Sequence, residues 1–419
     1  MNVVTPLRLV EPLGLYFRAG RNDHTALAHV LAAGPPQFTG VVLDASHANR
    51  QKDLIVELAQ RHVMTVLDPM AMELATAGGW ERQRLRTLPW AGNAIHEPPM
   101  FGDSDVVAAL VDPIARFAVA GKYGAVLAPS HFVTGVDDPW WRIDQATCRR
   151  LRSQLDGLGG ADIPIYYRLA LARRTLVDPI QRRSIATQLG REDIDAVWLC
   201  LHPVGADASA SILVSYVDLC RDLASMPVPL VAERTGFLGL TLLGFNAVAG
   251  VESGITMGDH FDVTRLARPR DARSLGTPFS PSPRVYIDRL GLFLKRKEAE
   301  RFFAAKGMRR QFGCQDRPCC RTPDDTIRDP RRHLLHARAQ QVAQISHVPP
   351  PVRAQVHLDT IRLASDDAMH AARIDKRFEK DQRRLGDWRH ALAGLVERGD
   401  CTVPAVTLAR GRFRRRKSA

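Results

Sequence analysis

VPLVAERTG (residues 228–236) runs into the helix-like GFLGLTLLGF (236–245) and then into NAVAGVESG (246–254). An apolar run closes on Glu233 and Arg234, a helical stretch follows, and a second apolar run closes on Glu252. A strand buried on both faces reads as a continuous apolar run, and length separates it from the helix beside it. The stretch is therefore a strand–helix–strand unit whose strand ends carry charge.

The same rhythm recurs along the chain. FTGVVLDASH (38–47) ends at Asp44, HVMTVLDPM (62–70) at Asp68, and YGAVLAPSHF (123–132) at His131. IPIYYRLA (163–170) carries Arg168, DAVWLCLHP (195–203) carries His202, and PRVYIDRLG (283–291) carries Asp288. Helical stretches such as NRQKDLIVELAQRH, WRIDQATCRRLRSQLDGL and SASILVSYVDLCRDLAS lie between them. Eight alternating units over about 250 residues fit a (β/α)8 barrel, a TIM-like α/β fold. An open doubly wound sheet has the same local rhythm, but no glycine fingerprint for a dinucleotide accompanies it.

The expected organisation is an N-terminal segment over 1–37, a barrel over 38–310, a Cys/His subdomain over 311–347, a charged helical extension over 348–397 and a basic tail over 398–419. Residues 70–120 are too long for one helix and predict a helical insertion over the barrel mouth. Pro, Gly and Ser crowd 265–283, which reads as a loop, and VPPPV at 348–352 as a linker or rigid turn.

The 419 residues are 45% hydrophobic and 25% charged, an ordinary globular balance. No apolar run is long enough for a membrane span and no signal-peptide pattern opens the chain, so a cytoplasmic protein is the expectation. The net charge is +13, and between Arg289 and Arg338 fourteen Lys or Arg face six Asp or Glu. Basic excess concentrated in one third of a chain suits a polyanion, and nucleic acid is the expected partner. The sequence leaves open whether the 353–397 helices form a homo-oligomer contact or fold back.

Reactive groups of a barrel gather where strands enter the following loops. Asp68, Glu233 and Glu252 are thus candidate acid/base or nucleophilic carboxylates. Asp44, His131, Arg168, His202 and Arg234 are candidate substrate contacts, the arginines through bidentate pairing with an anion. A plainer reading makes each charged strand end a cap or a solvated terminus. GDHFD (258–262) adds Asp259, His260 and Asp262 in one loop.

GCQDRPCC (313–320) packs three of seven cysteines into seven positions, with His333 and His336 following on a helical stretch. Cys314, one or both of Cys319 and Cys320, and His333 or His336 offer the four S/N ligands of a structural zinc site, and four protein ligands would leave no open position. The alternative is a small buried cap of thiols. Cys200 and Cys220 sit singly in apolar runs and read as buried hydrophobes.

GCQDRPCC…RDPRRHLLHARAQQVAQI and GITMGDHFDVTR resemble elements of the tRNA-guanine transglycosylase superfamily, which includes relatives that insert deazapurines into DNA. The resemblance implies a (β/α)8 barrel with a zinc subdomain of three cysteines and a histidine. It also implies base exchange through a covalent sugar–carboxylate intermediate, with Asp262 as nucleophile and Asp68 as acid/base group. The family's C-x-C-x-x-C spacing is absent, and LDPMAMEL stands where its glycine-rich base pocket would be. Two other functions fit the residues: a barrel enzyme for a small sugar or phosphorylated substrate, and a non-catalytic nucleic-acid-binding protein.

Overall fold

Seven of the eight apolar runs form parallel strands, and with one further strand they close into a ring. In the computed structural model, which describes residues 13–256, 259–268 and 283–399, these are β1 (Gly14–Ala19), β2 (Gly40–Asp44), β3 (Met64–Asp68), β4 (Ala125–Leu127), β5 (Ile165–Ala172), β6 (Ala196–His202), β7 (Leu230–Glu233) and β8 (Gly250–Gly254). Each pairs in parallel with the next, and β1 pairs with β8 from Gly14 opposite Gly250 to Arg18 opposite Gly254. β4 joins β5 directly, so no edge remains open.

Helices α1 (His24–Ala33), α2 (Lys52–Gln60), α3 (Ser104–Ala120), α4 (Pro139–Gly157), α5 (Pro179–Leu189), α6 (Ala210–Leu223) and α7 (Phe237–Gly244) follow the first seven strands. Four start on a side-chain cap: Asp103, Asp138, Asp178 and Ser209 each accept an amide N–H of the first turn. The eighth position is filled by α8 (Pro330–His347), which packs against β1, α1 and α7.

The sequence reading is corrected at two strands. The first barrel strand is Gly14–Ala19, inside the expected N-terminal segment, and the 283–291 run stays outside the ring. There Val285–Ile287 makes a short antiparallel hairpin with Leu292–Leu294. The physical reason is that β1 already occupies the ladder beside β8, while Tyr286 packs outward on Leu334 and Ala337 of α8. The insertion after β3 is shorter than 70–120. Residues 71–102 make short helical turns, and α3 is the ordinary barrel helix of that unit.

VPPPV is a helix start rather than a linker. Pro349 caps α9 (Pro350–Ala372), which pairs with α10 (Phe378–Glu397). Both fold back on the barrel. The Trp388 indole N–H donates to the Ala208 carbonyl, 2.8 Å away, and Arg353 donates to Asn246. A Cβ at Gly244 would overlap the His357 ring, so only glycine lets α9 lie this close to α7. The tail from residue 400, with Cys401, and most of the 265–283 loop lie outside the described residues.

Candidate functional site at the barrel mouth

Inward-facing residues alternate along each strand and stack in layers across the ring. The lower layer is apolar: Tyr16, Val42, Val66, Leu127, Tyr166, Trp198 and Val231 form one cluster. Two residues further along the same strands stand Arg18, Asp44, Asp68, Arg168 and Glu233, joined by Glu252. Above them Met72, Ala170, Cys200 and Phe261 make an apolar cap, with Phe132, Val263 and Leu266 packed on it. A charged layer is thus held between two apolar ones.

Arg18 is the hub of that layer. Its guanidinium reaches Asp68 at 2.6 Å, Asp44 at 2.8 Å, and Glu233 and Glu252 at 3.1 Å each. Arg168 adds a second cation, bonding Glu233 at 2.7 and 2.9 Å and approaching Asp68 at 3.4 Å. Burial works against the charge of Arg18, but the surrounding carboxylates more than offset it and keep it protonated. Burial would raise Asp68, yet Arg168 and Arg18 hold it down at about 2. Glu233 is held below the usual carboxylate range, its burial outweighed by Arg168 and Arg18. Glu252 goes the other way, pushed up to about 7 by burial that Arg18 only partly opposes. An unpaired charge in such surroundings is costly, so the layer holds together as a network.

Beyond the cap lies a cavity of about 720 Å³, a volume in the range of small-molecule sites. Asp44, Glu73, Asp259, Asp262, Arg234, Arg265 and Arg284 line it, with Phe261, Phe293 and Phe378 as apolar walls. Asp381 and Arg384 bring the C-terminal extension into the same wall. Two wall residues, Met70 and Arg234, have left-handed backbones (φ 62° and 55°) immediately after β3 and β7. The other non-glycine residues with positive φ, His62, Lys122 and Asn246, sit just past the C-termini of α2, α3 and α7, where that conformation is a routine helix ending. At Met70 and Arg234 no helix ends, and such strain costs about 1–3 kcal/mol unless the surroundings impose it. Asp68 accepts the Met70 N–H, and Glu252 accepts the Arg234 N–H, so the charged layer fixes both turns.

The sequence-derived residues are therefore distributed over three places. Asp68, Glu233, Glu252 and Arg168 meet in the buried layer and do not line the cavity. Asp44 and Arg234 span both, touching the layer and the cavity. His202 and Asp262 are neighbours at the rim, the His202 Nδ1 3.6 Å from an Asp262 oxygen. There the His202 Nδ1 accepts the Val263 N–H, and Asp262 caps the Val263–Ala267 helix through Thr264. Thr264 keeps Asp262 ionised, whereas burial pushes Asp259 up against Arg338. His131 lies elsewhere: its Nδ1 and backbone N–H each meet Asp144 at 2.7 Å, and its ring stacks on Trp140 at 3.6 Å. It lies outside the cavity wall.

Sequence reasoning missed Arg18 and Glu73. GLYFRAG (14–20) carries the same signal as the other strands, an apolar run closing on a charge, and a search for that rhythm from the first residue finds Arg18. Glu73 has no such signal, because it sits in a turn of helix beyond a strand end.

Away from the mouth, the sulfurs of Cys314, Cys319 and Cys320 and a ring nitrogen of His333 lie within 4.8 Å of one another, all buried. The Cys319 and Cys320 sulfurs are 3.6 Å apart and stand 3.5 and 3.7 Å from the His333 Nδ1. A tetrahedral zinc site has edges of about 3.8 Å between sulfurs and about 3.5 Å from sulfur to nitrogen. The four donors fit a metal ion on geometry and on donor chemistry, and they leave no open position. His336 lies outside this set, one helical turn beyond His333. Thr326 braces the group through the Cys314 N–H at 3.4 Å.

Fold and cavity together define a (β/α)8-barrel protein with a polar chamber at the C-terminal ends of its strands and a Cys3His cluster behind its eighth helix. No family model matches the sequence, and no curated protein matches it. Among solved structures, 3-dehydroquinate dehydratase from Enterococcus faecalis is 12% identical with a TM-score of 0.33, over 59% of this chain and 90% of that one. The endo-1,4-beta-xylanase XylE of Penicillium canescens is 10% identical with a TM-score of 0.38, over 59% and 83%. A GH26 beta-mannanase from Bacteroides ovatus is 10% identical with a TM-score of 0.35, over 63% and 85%. Similarity at this level says nothing of substrate.

Proposed function

We propose that the protein is a glycosyl-transfer enzyme that exchanges a base in nucleic acid, working in the mouth cavity through a carboxylate nucleophile. The observation that carries the reading is one chamber holding carboxylates, Asp44, Asp259 and Asp262, together with arginines, Arg234, Arg265 and Arg284. Carboxylates supply a nucleophile for C1′ of a nucleotide, and arginines supply anchors for its phosphates. The target nucleotide would leave its stack to enter the chamber. The resemblance of GITMGDHFDVTR and of the Cys/His segment to the transglycosylase superfamily supports the same reading.

Asp262 spends one oxygen as a helix cap on Thr264, while among the described residues Asp259 receives longer contacts of 3.3 Å from Ser253 and Arg338. Either can be the nucleophile, and the test compares both. Asp68 fits an acid/base role poorly, since Arg18, Arg168 and the Met70 N–H occupy its oxygens. Cys314, Cys319, Cys320 and His333 would hold zinc. The ion's contribution there is structural, fixing the segment before α8, and the chemistry stays with the cavity.

The test is incorporation of radiolabelled guanine into single-stranded DNA, duplex DNA and tRNA. Label should enter one of these polymers, and either D259N or D262N should abolish entry while leaving oligonucleotide binding intact. Binding without incorporation would turn the reading toward a non-catalytic nucleic-acid protein. Absence of both would favour a small sugar or phosphorylated substrate, a reading consistent with the way Phe378 and Asp381 of the extension narrow the chamber.

A further inference from the structure

Glu73 belongs to the short helix Ala71–Leu74, directly after the strained Met70. It is 3% exposed and lines the cavity, yet its Oε2 is buried without a hydrogen-bond partner among the described residues. Every carboxylate of the layer beneath it is paired with a guanidinium, so an unpartnered acid at this position is out of pattern. A buried carboxyl without a partner keeps its proton.

Its placement is enforced by the chain around it. The Thr76 hydroxyl donates to the Glu73 carbonyl at 2.9 Å. A Cβ at Gly79 would overlap that carbonyl, and one at Gly78 would overlap the backbone of Leu266 and Arg268. The pair of glycines in ATAGGW therefore lets the Ala77–Trp80 turn clamp Glu73 against the Val263–Ala267 helix. The charged groups facing Glu73 are Asp68 of β3, Arg168 of β5, Arg234 after β7 and Asp44 of β2. Burial and then Asp68 raise its hold on a proton, against Arg168 and Arg234.

We infer that Glu73 is the proton donor of this cavity, a neutral carboxylic acid that protonates the departing base in the exchange proposed above, on which this reading rests. In the first step a cavity aspartate oxygen bonds to C1′ and the C1′–N bond breaks. The electron pair of that bond goes to the base nitrogen, which takes the proton of Glu73. Glu73 is left ionised, with Arg168 and Arg234 placed to stabilise the new charge. In the second step the incoming base gives its N–H proton to Glu73, its nitrogen bonds to C1′, and the aspartate departs. Proton and electron pair balance over the cycle, and a single acid serves both halves.

The variant E73Q keeps size and burial but has no acidic proton. Base release is measured from an oligonucleotide containing guanine and from one containing 7-methylguanine, which departs without needing a proton. E73Q should lose on the order of 100-fold or more on guanine and little on 7-methylguanine. Equal losses on both, or none on guanine, would overturn the inference. A second arm needs no turnover. Difference infrared spectroscopy of the substrate-free protein at neutral pH should show a carboxylic-acid carbonyl band in the wild type that E73Q lacks. If the wild type releases neither base, the exchange reading fails by itself, and this band alone judges Glu73: its presence upholds a neutral acid facing the cavity, its absence refutes one.

Discussion

Arg18 sets the chemistry of its neighbours. One guanidinium touching four carboxylates neutralises part of a layer that would otherwise repel itself in a poorly solvated space. The load is not shared equally: Asp68 is held at about 2 while Glu252 rises to about 7. A carboxyl whose folded-state value lies above its unfolded one, near 4.5 for Glu252, binds its proton more tightly when folded. Its contribution to stability is full below about 4.5 and fades as pH rises to about 7. Chemical denaturation across that window should show the wild type losing stability relative to E252Q as pH rises. A pH-independent difference would mean that Glu252 is ionised throughout.

At the scale of elements, the Cys/His cluster joins a loop to a barrel helix. His333 stands in the first turn of α8, and the cysteines lie on the segment before it. Arg331 in the same turn bonds Asp23 at 2.8 Å and Thr256 at 3.0 Å, so this turn also holds the start of α1 and the loop after β8. Structural zinc contributes folding energy directly. The purified protein should carry one equivalent of zinc, and chelation or H333A should remove it and lower the melting temperature by several degrees or more. H336A should do neither. Metal-free protein that melts unchanged would leave the cysteines as a buried thiol cap.

Elements also show what was legible in the sequence. Seven of the eight barrel strands announce themselves as apolar runs closing on polar residues, because parallel strands covered on both faces leave no other pattern. β1, six residues long, follows the same rule, and its position near the start of the chain disguised it. VYIDRLG was misleading for the opposite reason: an apolar run is equally satisfied by a hairpin packed on α8. Periodicity tells that a segment is buried but not against which partner. The cysteine spacing identified the cluster, whereas the choice of His333 over His336 needed the direction in which each ring points.

For the molecule as a whole, charged strand ends converge on one axis, as a closed ring requires, but closure also decides which of them remain reachable. Most acids near the ring's centre are locked by Arg18 and Arg168 beneath an apolar cap, and the reachable ones are Asp44 at the end of β2 and acids from loops and the insertion. That is why the strand-end carboxylates Asp68, Glu233 and Glu252 read as reactive in the sequence and stand as a scaffold in the structure. It is also why the proposed exchange is placed on residues 73, 259 and 262. The extension reaches the chamber through α10, whose Phe378, Asp381 and Arg384 stand in its wall.

The most direct measurement is mass spectrometry of the intact protein quenched during incubation with a guanine-containing oligonucleotide, followed by peptide mapping. A covalent adduct carrying the oligonucleotide minus its base, on the peptide spanning Asp259 and Asp262, is the predicted result. No adduct under conditions where label is exchanged, or an adduct on a residue outside the mouth cavity, would contradict it.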